Sequence, residues 1–148
     1  MWKKILCPVD FSSGSRSALR EAIQLSKESG GQLVVIHVWA PPVLLASEPI
    51  GLPANQLAVL IADAETMLEE AVAEAREHGA PSVERVLRSG SAWNEIVEVA
   101  KDDPLIDLIV IGTHGRTGIS RALVGSVAEQ VVRHAPCPVL VMRERATK

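Results

Sequence analysis

Gly112-Thr113-His114-Gly115, nine further residues and then Gly125-Ser126 are the residues of this chain whose types and spacing best suit chemistry. The first four follow a largely apolar run, Leu105–Ile111, which reads as a buried strand. The last two open Ser126-Val127-Ala128-Glu129, a Ser-x-x-Glu capping box that would start a helix at Ser126. Glycine lets a backbone come close to a ligand, and a helix start adds unpaired N–H donors at the positive end of a dipole. Together they form an anion site of the kind that holds nucleotide phosphates. The plainer readings are turn glycines at 112 and 115 and a helix cap at Ser126.

The standard nucleotide signatures are missing. A Walker A loop needs a Gly-Lys pair, and the chain has none. The dinucleotide pattern would need glycine where His114 stands. His114 has no identifiable nucleophile or carboxylate partner, so acid–base catalysis is not expected of it. Arg116 is the cation best suited to terminal phosphates, or else a solvated loop arginine. Asp10, at the end of the first strand and ahead of a helix, suits either a helix cap or a ligand-side carboxylate.

Five segments read as the strands that position these residues: Lys4–Val9, Gln32–Trp39, Val83–Arg88, Leu105–Ile111 and Pro138–Met142. Helical patterns alternate with them. Ser15–Ser29 ends at Gly30-Gly31, a stop signal. Gln56–His78 spaces Leu57, Leu60, Ile61, Ala64, Met67, Leu68, Ala71, Val72 and Ala75 helically, then stops at Gly79. Trp93, Ile96, Val97 and Ala100 mark a short third helix, and Val127 and Val131 the last. Such alternation predicts an α/β sandwich with a parallel sheet, helices on both faces and right-handed crossovers. Residues 40–55, with four prolines, form a long connection of the kind found in lids and binding loops.

At 148 residues the chain reads as one domain, 1–148. A net charge of −3 and only four aromatic residues argue against a nucleic-acid surface. No apolar stretch reaches the length of a membrane span, and no signal peptide is recognisable. Cys7 and Cys137 match no metal spacing and read as reduced core residues of a cytoplasmic protein.

The Gly-x2-Gly-x9-Gly-Ser spacing, with Pro8-Val9-Asp10 after strand one and His37-Val38 in strand two, resembles the universal stress protein family over essentially the whole chain. The resemblance implies a five-stranded sheet of order 3-2-1-4-5, a Rossmann-like arrangement of the adenine nucleotide alpha hydrolase type, and places the chain in the ATP-binding branch. ATP, with Mg2+, is then the expected ligand. It would be bound by Pro8, Val9, Asp10, Val38, Gly112, Thr113, His114, Gly115, Arg116, Gly125, Ser126 and Val127. Val38 would meet the adenine through its backbone, and Asp10 would lie beside the ribose or the metal–phosphate side. The resemblance also implies a homodimer through the last strand, Pro138, Val139, Leu140, Val141 and Met142. An open apolar edge strand would otherwise invite aggregation.

Phosphoryl transfer needs metal ligands, a cationic clamp and a positioned nucleophile or water, and the chain offers no convincing base. The expected role is a stress-response or signalling module with nucleotide as a regulatory ligand. A slow ATPase or autophosphorylating enzyme, and a dimeric stress protein that binds no nucleotide, are the alternatives.

Overall fold

The computed structural model describes residues 1–40, 53–113 and 125–144. Its elements run β1 (Lys4–Pro8), α1 (Ser13–Ser29), β2 (Gln32–Trp39), α2 (Ala54–Glu77), β3 (Ser82–Ser89), α3 (Ala92–Asp102), β4 (Leu108–Gly112), α4 (Ser126–His134) and β5 (Val139–Met142). The five strands form one sheet in the order β3-β2-β1-β4-β5, every neighbouring pair parallel. The expected 3-2-1-4-5 order is therefore the observed one. β1 sits at the centre, with Leu6 in register with Val34 on one side and Ile109 on the other.

Successive side chains of a strand point to opposite faces, and here both faces are apolar. Ile5, Cys7, Leu33, Val35, Leu108 and Val110 join Ala18, Leu19, Ala22 and Ile23 of α1 and Leu68, Val72 and Ala75 of α2 in one buried cluster. Leu6, Val34, Ile36, Ile109 and Ile111 join Ile96, Val97 and Ala100 of α3 and Ala128 and Val131 of α4 in the other. The sheet therefore has a helical layer on each face.

Three expectations are corrected. The fourth strand starts at Leu108 rather than Leu105. Ile106 N–H closes a turn on Asp103 O, and the Asp107 carboxylate accepts from the amides of Lys3 and Lys4, so Leu105 is left exposed. In α2, burial begins only at Ala64, and Leu60 is 42% exposed. A helix of 24 residues is about 36 Å long, whereas strands of eight residues cover only about 26 Å, so its first turns outrun the sheet. Cys7 is fully buried, but Cys137 is only half-buried.

Candidate functional site

β1 and β4 are neighbours whose following helices lie on opposite faces of the sheet, so a crevice opens beyond their carboxyl ends. Pro8 ends β1, and Val9 continues the ladder by donating its N–H to Ile36 O at 2.8 Å. The Val9 carbonyl accepts from His37 Nδ1–H at 2.7 Å, which places a proton on that nitrogen. Two residues before Val9, burial in the cluster under α1 and α2 pushes the Cys7 thiol up to about 12.

Asp10 does not cap α1. The cap is Ser12, whose Oγ accepts from Ser15 N–H at 3.2 Å. Asp10 instead accepts at Oδ1 from the Ser12 amide at 3.0 Å and from the Ser12 hydroxyl, while its own N–H donates to Ser15 Oγ at 3.3 Å. The carboxylate is thereby oriented by the helix start that follows it. Sequence reasoning missed this set of bonds, although Asp-x-Ser-x-x-Ser is a legible combination of an Asx turn and an N-cap.

Gly112 closes β4 for a packing reason. A Cβ there would lie 2.8 Å from both C and O of Gly14, so the exit of β4 and the first turn of α1 touch backbone to backbone. Thr113 is buried; its N–H donates to Met142 O at 2.9 Å, and its carbonyl accepts the amide of Gly125. That last bond ties the two ends of the glycine loop together. It also sets the start of α4 directly beside the exit of β4.

The helix starts at Ser126 as expected, but the capping box does not form. Gly125 is the N-cap, its carbonyl accepts Glu129 N–H at 2.9 Å, and no side chain caps the helix. Ser126 and Val127 are the exposed first residues of α4, and their amides belong to the turn that makes no intrahelical bond. The hydroxyl of Ser126 thus has no capping duty, and the backbone offers the anion-binding donors.

Val38 lies one residue short of the end of β2, with its side chain against the cluster under α3 and α4. Backbone polar groups alternate sides along a strand. Because the Ile36 carbonyl faces β1, the backbone groups of Val38 face the same side, beyond the point where β1 has ended. His114, Gly115 and Arg116 lie outside the described residues. The structure brings together Pro8, Val9, Asp10, Gly112, Thr113, Gly125, Ser126 and Val127 at two adjacent strand exits, with Val38 one strand away. Among the described residues, no group of three or more His, Cys, Asp or Glu could hold a metal ion. No helix among them is long and apolar enough to cross a membrane.

The model of the universal stress protein family matches residues 1–143. Universal stress protein MJ0531 of Methanocaldococcus jannaschii is 37% identical, the match covering 97% of this chain and 84% of that one. The solved structure of MJ0577, from the same organism, superposes with a TM-score of 0.83 at 30% identity, covering 99% of each chain. A universal stress protein of Archaeoglobus fulgidus, solved in complex with dAMP, superposes at 0.65 with 25% identity, covering 95% of this chain and 97% of that one.

Proposed function

This chain belongs to the universal stress protein family, and from that premise we propose that it binds ATP at the joint exit of β1 and β4. Bound nucleotide acts as a regulatory ligand of a cytoplasmic stress-response module. One observation carries the reading: the bond from Gly125 N–H to Thr113 O, which sets the first turn of α4 beside the exit of β4. The backbone edge at Val38, beyond the end of β1, supports an adenine at the far side, where N–H and C=O groups can match a base edge. The likeness to a relative solved with dAMP supports the same choice of base.

Mg2+ at nucleotide sites takes one or two carboxylates, with phosphate oxygens and water completing its shell. The single carboxylate of Asp10 fits that use, and Asp10 is the residue that would hold the ion's protein side. The ion would neutralise phosphate charge.

The protein acts as a homodimer through β5, the edge strand beside β4. Leu140 is the exposed side chain of that strand, and a two-fold pairing of the edge would cover it.

The experiment is mass spectrometry of the small molecules retained by gently purified protein, followed by calorimetric titration of the emptied protein with ATP. Retained adenine nucleotide and saturable ATP binding are expected. Protein that retains nothing and gives no heat with ATP overturns the reading.

A further inference from the structure

Phe11 has φ +66°, and among the described residues it is the sole non-glycine residue in the left-handed region. A bulky side chain there is an outlier, and such strain persists only where the surroundings over-determine it. Glycine would take the same turn freely. The ring explains why phenylalanine holds it: its centroid lies 4.6 Å from that of His37, tilted by 45°, and it packs against the cluster under α1 and α2. His37 in turn donates from Nδ1 to Val9 O, on the other side of the turn. Ring contact and hydrogen bond thus clamp the turn to β2 from both ends.

Two features of the site depend on that reversal of the chain. It brings the Ser12 amide and hydroxyl under the Asp10 carboxylate. It also delivers the backbone of Gly14 onto Gly112, at the exit of β4. We propose that Phe11 and His37 are positioning residues of the nucleotide site. Their packed rings hold the β1–α1 turn in the strained conformation that orients Asp10 and seats the start of α1 against Gly112. The inference rests on the proposed nucleotide binding and deepens it, since neither ring need touch the ligand.

Phe11→Gly keeps the left-handed turn accessible and removes the ring, whereas Phe11→Tyr keeps the ring. ATP affinity is read by calorimetry, and hydrogen exchange of the Ser12 and Ser15 amides is followed in the ligand-free protein. Phe11→Gly is expected to weaken ATP binding roughly tenfold, as follows when the binding-competent turn falls to about a tenth of the population. The Ser12 and Ser15 amides should exchange faster in that variant, and Phe11→Tyr should restore both properties. Weakened binding with wild-type exchange at Ser12 and Ser15 overturns the proposal, because the ring would then act without ordering the turn. Equal ATP affinity in wild type and Phe11→Gly also overturns it, whereas wild-type protein that binds no ATP overturns instead the function on which it rests.

Discussion

Gly112 and Gly125 end the same loop and are glycine under different constraints. At Gly112 an added methyl would meet the Gly14 backbone, which cannot rotate away as a side chain could. Gly112→Ala is therefore expected to destabilise the fold by about 1–3 kcal/mol, seen as a lower urea midpoint with unchanged slope. Gly125 has φ −60° and ψ 156°, extended values open to any residue, so a side chain there brings no backbone strain. Gly125→Val should cost about 1 kcal/mol or less as a poorer helix cap, yet abolish ATP binding in a calorimetric titration. Unaltered affinity would remove the phosphate-loop assignment. Cys7 adds a pH dependence. Its buried thiol titrates at about 12 against an ordinary 9.0, so the folded state holds the proton more tightly than the unfolded chain. Stability from this source is complete below pH 9 and falls as pH rises toward 12. Lys4, raised above 10.5 chiefly by its hydrogen bond to Asp103, loses its contribution in the same direction at higher pH. Urea midpoints should decline as pH rises from 9 to 10.5, and Cys7→Ala should flatten that decline.

Among the elements, β5 and α4 carry the surfaces proposed for the partner subunit and the ligand. Val139 and Val141 pack against the cluster under α3 and α4, so a lysine at either would disturb the core as well as an interface. Leu140 is the informative position, since it is the outward residue of an edge strand. Leu140→Lys is expected to convert a dimer to monomer at micromolar concentration by light scattering, with the fold retained by circular dichroism. A wild-type protein already monomeric there, with and without ATP, defeats the β5 dimer. On α4, the helix start is held among the described residues by backbone bonds, from Thr113 O to Gly125 N–H and from Gly125 O to Glu129 N–H. No capping side chain takes up its outer amides, as the proposed phosphate contact requires.

For the molecule as a whole, the proposed recognition of adenine by the backbone edge at Val38 predicts selectivity for one base. ATP at a hundred times its dissociation constant should stabilise the fold by about 2.7 kcal/mol, a rise in melting temperature of roughly 5–10 °C. GTP and NAD at the same concentration should give little shift. A shift from either that equals the ATP shift would overturn the adenine assignment. The sequence by itself determined the alternation of strands and helices, because apolar runs and helical spacing report burial directly. It also marked both loops of the site, since glycine spacing and a helix start are local features. It placed the helix cap one residue late and read Leu105 and Leu60 as core, because local pattern does not say where a sheet ends or which amide a distant carbonyl takes. The 3-2-1-4-5 order came with the family resemblance, as strand pairing is a contact between segments far apart in the chain. Only the tertiary structure decided that Phe11 turns left-handed. Propensity there favours glycine, and the His37 ring that holds it is 26 residues away in sequence.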